Sequence, residues 1–441
     1  MSLTSPLRHP DTRDPGLMAK RAWWLLGLNL LIPGSAQLLA GDRRWGRFAV
    51  GATFWLWGIG LGAVLLMLLA RPVALTIATN VVTLWVLQLG LVFYAVLWLA
   101  TTLNTLSLTR IVRAAPNARG PLAAFVALSL VLTVGGAGWA AWITGIGRST
   151  LGSVFASGFI EAPIDGRYTV LLLGGDAGPD RIGLRPDSIS LASIDASTGA
   201  VTMIGIPRNL YNTPFSDDSP LWQEWPNGYD CGDECLVSYL YPWAEEHPEL
   251  YPDAEAEGST PGIEAMRDAV EGITGLPVQY TVLIDMQGFA QLIDALGGVT
   301  VTVAEGMDLG INGGPVVGRI EAGEQRMDGA TALWYARNRY NLTDFDRMEH
   351  QRQIQEAILR QIEPATVLTR FQAIADAGQQ VVRTDIPQSM LGVLSDLAVK
   401  ARELPITDVE LVPPTIDNVE PDFELIRSLV AEGVAPREQE Q

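Results

Sequence analysis

The stretch YTVLLLGGD, residues 168–176, is a short apolar run that ends in two glycines and an aspartate. A run of that length bounded by turn residues reads as a buried strand. Downstream, SISLASID (188–195) and AVTMIGI (200–206) flank the turn signal ASTG and predict a hairpin. Next come an expected helix over 262–273, a strand over 279–284, a helix over 286–295, the turn LGG and a strand over 299–303. Strands alternating with helices argue for an α/β domain around a mixed central sheet. Residues 330–340 read as a further strand or strand edge, and 347–362 as a helix. A polar, aromatic-rich insertion with little periodicity occupies 209–260.

Charge divides the 441 residues into two physically different parts. Residues 1–150 hold 12 Lys+Arg against 3 Asp+Glu, whereas residues 151–441 hold 18 against 46, which together give the net −19. Residues 48–70, 72–109 and 122–145 carry no charge, and each is long enough to cross a hydrocarbon core that needs ~20 apolar residues. A cleavable leader does not account for several such runs in succession. A fourth apolar stretch, 22–41, is interrupted by Pro33-Gly34; it either spans with a kink or dips in and returns. Arg43, Arg44 and Arg47, and then Arg110, Arg113 and Arg119, fall in alternate loops. The positive-inside bias puts those loops in the cytoplasm and residues 151–441 outside it. The expected organisation is an all-α, multi-span membrane domain over 1–145, a Gly/Ser/Ala-rich tether over 146–167, and an extracytoplasmic α-β-α domain over 168–430.

The two cysteines, Cys231 and Cys235 in CGDEC, read as a short-loop disulfide in an exported domain. With His9, His247 and His350 as the whole histidine complement, a zinc site has too few ligands. No G-x-S-x-G elbow is present, and GGDAGPDRIG lacks the Lys-Ser/Thr of a phosphate loop.

Charged residues gather at the ends of the apolar strands. Asp176 follows the first, Arg185 and Asp187 precede the second, and Arg208 follows the third. Ligands bind at such strand ends in open α/β sheets, and carboxylates there suit hard cations. Of the 18 basic residues after position 150, only Lys400 is a lysine. Arginine grips phosphate oxygens as a rigid fork, which lysine does not. In ALWYARNRYNLTDFDRMEHQRQ (332–353), Arg337 and Arg339 would share one face of a strand. Arg347 and Gln351 would share one face of a helix. A single such arginine is most simply a surface charge; the set, with its aspartates, points to an anion site.

LLLGGD, RPDS, SIDASTGAVTMIGIPRNLY, DMQGFAQLIDALGGV and GEQRMDGATALWYARNRY with DFDRMEHQRQ resemble, in order, the motifs of the LytR-CpsA-Psr family over roughly residues 168–362. The ordered set is specific where no single motif would be. The resemblance implies transfer of a glycopolymer from a polyprenyl-pyrophosphate carrier to peptidoglycan. It implies that Asp176 and Asp187 bind magnesium, and that Arg185, Arg208, Arg337, Arg339, Arg347 and Gln351 hold the pyrophosphate. Catalytic roles fall on Asp176, Asp187, Arg208 and Arg337. The sequence departs from the family at Asn209, Pro186 and His350, and lacks a basic residue in ECLVSYLYPWAEEH. The lipid would need an apolar channel, which the 262–273 and 286–296 helices could line, although most of their apolar residues read more simply as ordinary core. A polyprenyl-phosphate-binding or regulatory protein and a pyrophosphatase are the alternatives. A nucleic-acid partner is excluded by the acidic outer part, which would repel phosphate backbones.

Overall fold

The computed structural model describes residues 5–156, 160–176, 184–232, 234–361 and 382–435. The chain forms two compact units, Met1–Ser149 and Thr150–Gln441.

In the first unit three helices are long and apolar enough to cross a membrane: Arg43–Leu69, Val81–Arg113 and Pro116–Ser149. Large apolar side chains such as Trp55 and Leu69 on these helices are exposed. The charge-free run 72–109 is not one helix. Asn80 ends the helix Arg71–Thr79 and caps Val81–Thr109, its Oδ1 accepting from Val82 N at 2.9 Å and Thr83 N at 3.3 Å. The 22–41 stretch divides as its Pro-Gly pair suggests, into Pro15–Leu31 and Ser35–Ala40. Gly34 sits between them at φ 97° with its Cα packed on Ala49, where a Cβ would not fit. Polar groups inside this unit find one another: Asn29 Nδ2 donates to Thr102 Oγ1 (3.1 Å) and Gln37 Nε2 to the Thr101 carbonyl (2.8 Å). The helix Gly136–Val154 runs on through the first part of the stretch read as a tether.

The second unit contains ten strands among its described residues: β1 Arg167–Asp176, β2 Arg185–Asp195, β3 Val201–Ile206, β4 Tyr280–Asp285, β5 Val299–Val303, β6 Met307–Leu309, β7 Gly318–Ile320, β8 Gly323–Met327, β9 Val382–Thr384 and β10 Thr407–Glu410. Six form one mixed sheet in the order β10-β3-β2-β1-β4-β9; β5 pairs with β8 and β6 with β7. The β2–β3 hairpin is as expected, antiparallel from Ile189–Ile206 to Ile194–Val201. Its turn is closed by Asp195 Oδ1, which accepts from Ser197 N and Thr198 N, and by Gly199 at φ 79°. β1 lies between antiparallel β2 and parallel β4, so both of its edges are paired. Leu171, Leu173, Leu191 and Ile204 pack on one face with the helices Pro261–Thr274 and Phe423–Val434. Tyr168, Val170 and Met203 pack on the other with Leu397 of the helix Leu391–Ala401. This alternation along β1 is the period of two expected of a central strand.

One element differs in type from the sequence reading. Residues 329–337 are a helix, Gly329–Arg337, not a strand. Asp328 caps it by accepting from Thr331 N at 2.8 Å, and Ala332 and Tyr335, three apart, are its buried side. The aromatic and β-branched residues suggested a strand, but the cap and the three-residue spacing prevail. Arg337 is therefore the last helical residue and Arg339 lies beyond the helix end, so they do not share a strand face. The helix Asp344–Gln361 follows. The insertion 209–260 is also more ordered than its pattern suggested, holding the helix Val237–Glu245.

Candidate anion-binding site

β1 and β4 run parallel and end on the same side of the sheet, at Asp176 and Asp285. Beside those ends β2 begins, and Arg208 follows β3 from the same side. Asp187, on β2, is 7% exposed. Its Oδ1 accepts from Arg208 Nη1 at 2.6 Å and lies 3.8 Å from Arg185 Nε; its Oδ2 lies 3.7 Å from Arg339 Nη2. Arg208 Nε donates to Asp344 Oδ2 at 3.0 Å, and Asp344 Oδ1 is 3.2 Å from Arg347 Nη2. Four arginines thus surround two carboxylates, which leaves an excess of positive charge in one place.

Arg347 is the most telling member. It is 2% exposed; its Nη2 is ion-paired with Asp344, while its Nε makes no hydrogen bond to a described residue, and neither does the buried Nε of Arg185, 3.8 Å from Asp187 Oδ1. Burial pushes the Arg347 guanidinium down to about 10, a shift that Asp344 only partly opposes. Buried polar groups are almost always satisfied, and these guanidinium groups keep donor capacity that the described side chains leave unused. For Asp187, burial alone would raise the carboxyl; Arg208 first, then Arg347 and Arg185, outweigh it and hold the group ionised below its ordinary value.

Asp187 also lines an apolar cavity of about 160 Å³. Leu172, Val282, Ile284, Phe289, Leu292 and Ile358 line its length, while Asp187, Arg337 and Gln351 line its polar part. The exposed Arg337 guanidinium stands 5.6 Å over the Trp334 ring. Gln351 Nε2 donates to the Ala336 carbonyl at 3.1 Å, joining the two helices. Of the two helices expected to form a channel, Met286–Leu296 does so; Pro261–Thr274 belongs to the core on the other side of the sheet.

The structure brings Arg185, Asp187, Arg208, Arg337, Arg339, Arg347 and Gln351 to this one place. Asp176 is placed there by its backbone, opposite Arg185 in the β1–β2 ladder; its side chain lies outside the described residues. Arg352, in the same motif, faces away and pairs with Asp408 and Glu410 at 2.7 Å each. Cys231 and Cys235 are joined in a disulfide. His350 is buried and stacked on Tyr335 with ring centroids 4.2 Å apart. Two participants escaped the sequence reading. Asp344 carries a signal in hindsight, an acid three residues before Arg347 on one helix. Tyr239, whose ring lies 5.1 Å from the Arg185 guanidinium, carries none, because it sits in the irregular insertion.

The described residues thus form an α/β domain with a mixed sheet, a guanidinium cluster at its strand ends and an apolar cavity beside it. The profile of the LytR_cpsA_psr family matches residues 159–412, more than half of the chain, and the chain belongs to that family. Among named relatives, it is 28% identical over 222 residues to the polyisoprenyl-teichoic acid–peptidoglycan teichoic acid transferase TagU of Halalkalibacterium halodurans, which covers 50% of this chain and 61% of that protein. It is 27% identical over 288 residues to the cell wall biosynthesis protein LcpA of Corynebacterium glutamicum, covering 59% of this chain and 54% of that one. The chain therefore spans about three fifths or less of the length of these relatives. The crystal structure of B. subtilis TagV aligns with a TM-score of 0.43 at 21% identity, over 62% of this chain and 98% of that one.

Proposed function

We propose that this chain is a membrane-anchored phosphotransferase that moves a glycopolymer from a polyprenyl-pyrophosphate carrier to peptidoglycan, with residues 150–441 outside the cytoplasm. The observation that carries the proposal is a cluster of four arginines around two carboxylates, one of them the buried Arg347, with an apolar cavity that Asp187 also lines. A pyrophosphate on a lipid tail has that same polarity, charged at one end and apolar at the other. The relatives' names, which speak of teichoic acid transfer and wall biosynthesis, support the choice of substrate class. The alternation of arginine-rich loops between the apolar helices supports the orientation.

In this reading Arg185, Arg208, Arg339 and Arg347 hold the pyrophosphate oxygens, and Arg337 closes the exposed side. The hydroxyl of the acceptor sugar attacks the phosphorus next to the glycopolymer. The bond from that phosphorus to the bridging oxygen breaks, polyprenyl phosphate leaves with the electron pair, and an aspartate of the site takes the hydroxyl proton. Positioning and charge neutralisation supply most of the acceleration.

The donor set fits magnesium. The described residues hold no cluster of three or more His, Cys, Asp or Glu. Magnesium is commonly held by one or two carboxylates and completed by phosphate oxygens and water. Asp187 and Asp176 would be those carboxylates, and the ion would neutralise charge developing on the phosphates. The test is incubation of the protein with a lipid-pyrophosphate-linked glycan, peptidoglycan and magnesium. Covalent attachment of glycan is expected; free phosphorylated glycan would instead identify a hydrolase, and unchanged donor a binding protein.

A further inference from the structure

Residues 338–343 join the helices that carry Arg337 and Arg347, and no strand pairs with them. Their backbone is held instead by a side chain that is 0% exposed, Asn338. Its Oδ1 accepts from Gly310 N at 3.0 Å and from Tyr340 N at 3.4 Å, and its Nδ2 donates to the Asp308 carbonyl at 2.9 Å. Asp308 belongs to β6, and Gly310 follows it directly in the β6–β7 hairpin. Two more bonds continue the seam: Arg339 N to the Gly310 carbonyl at 3.4 Å, and Asn341 N to Asn312 Oδ1 at 2.9 Å. Asn341 itself stands at φ 55°, a conformation that a loop keeps only when its surroundings fix it.

We propose that Asn338 is a positioning residue: by stitching the 337–339 backbone to the 307–320 hairpin, it sets the directions in which Arg337 and Arg339 reach the pyrophosphate. The proposal rests on the functional reading above. Arg339 Nη2 is 3.7 Å from Asp187 Oδ2, too far for a hydrogen bond to aim the guanidinium. Its aim comes from the backbone that bears it. That backbone depends on one amide whose donor and acceptor are both used. An apolar residue of equal size would leave Gly310 N and the Asp308 carbonyl unpaired in a buried place. Asparagine between the two arginines is then a requirement of geometry and not a spacer.

The test uses the full-length chain, with inorganic pyrophosphate and magnesium as the probe, and compares Asn338→Ala, Arg339→Ala, the double variant and Ile320→Val. The last trims a buried side chain of the same hairpin and controls for lost stability. Asn338→Ala is expected to weaken pyrophosphate binding roughly tenfold, since small misplacements of a binding group are costly. Ile320→Val is expected to leave affinity unchanged. In the Arg339→Ala background the effect of Asn338→Ala should shrink to the part that acts through Arg337, because the rest acts through the Arg339 guanidinium. If Asn338→Ala behaves like Ile320→Val, or adds in full to Arg339→Ala, the positioning role is overturned. If Arg339→Ala itself leaves affinity unchanged, it is the pyrophosphate reading of the site that falls.

Discussion

Arg347→Met should make the protein more stable and less able to bind pyrophosphate. The folded state lowers the Arg347 guanidinium from its ordinary value to about 10, which corresponds to about 3 kcal/mol of bias against the charged form. For a base with a depressed folded value, the unfolded chain binds more protons between the two values. Stability therefore rises with pH only through that alkaline window, and near pH 7, below both, the penalty is present in full. Methionine fills similar space and removes it. Asp344 keeps Arg208 Nε at 3.0 Å and Asp187 keeps Arg208 Nη1 at 2.6 Å, so neither carboxylate is left bare. The expected net gain is about 1–3 kcal/mol, the range found when buried ions give way to apolar groups. It would be seen as a Tm several degrees higher in a thermal melt. The same variant should bind inorganic pyrophosphate roughly tenfold to a hundredfold more weakly, the worth of one charge-assisted hydrogen-bond partner. A variant that melts lower than the parent while its pyrophosphate affinity is unchanged would show that Arg347 is a structural cation, and the anion argument would fail.

Other consequences can be checked in the same preparation. Asp187→Asn keeps the shape of the side chain but removes its charge, and transfer should drop by about 100-fold or more in a steady-state assay. Because the folded state holds Asp187 below its ordinary 3.8, its stabilising contribution is present above that value and lost as pH falls through the lower folded one. A titration of Tm should accordingly show no break above pH 3.8 that Asp187→Asn removes. Ala336→Leu pushes extra carbon into the 160 Å³ cavity; KM for a long-chain lipid donor should rise about tenfold, with inorganic pyrophosphate bound as before. Gly329→Ala would drive a Cβ into the Ala290 carbonyl, and a melt should report a loss of about 1–3 kcal/mol.

What could be read from the chain follows the strength of its local patterns. Residues 168–176, the β2–β3 hairpin and the 262–273 and 286–295 helices carry unmixed periodicity, and the structure has each of them to within three residues at either end. Residues 330–340 mislead because GATALWYAR has the composition of a strand, while its helix depends on one cap at Asp328 and on burial of Ala332 and Tyr335. The three apolar runs were equally plain, but Asn80 divides one of them through a side-chain cap that hydropathy does not register. At the site, arginine in place of lysine was a usable chemical signal. Asp344 showed only its spacing to Arg347, and Asn338 showed nothing, because what they do depends on what the fold sets beside them: Arg208, more than a hundred residues away just after β3, and the β6–β7 hairpin. Arg352 is the converse case, a motif arginine that the helix turns toward Asp408 and Glu410.

The central claim is that the guanidinium cluster and the cavity together handle a lipid pyrophosphate during glycan transfer. Its most direct test supplies the full chain with a radiolabelled polyprenyl-pyrophosphate glycan, magnesium and peptidoglycan, and follows the label. The account predicts label covalently fixed to peptidoglycan with release of polyprenyl phosphate, abolished together in Asp187→Asn and Arg337→Ala. Label that stays on the lipid, or transfer that survives in both variants, would contradict it.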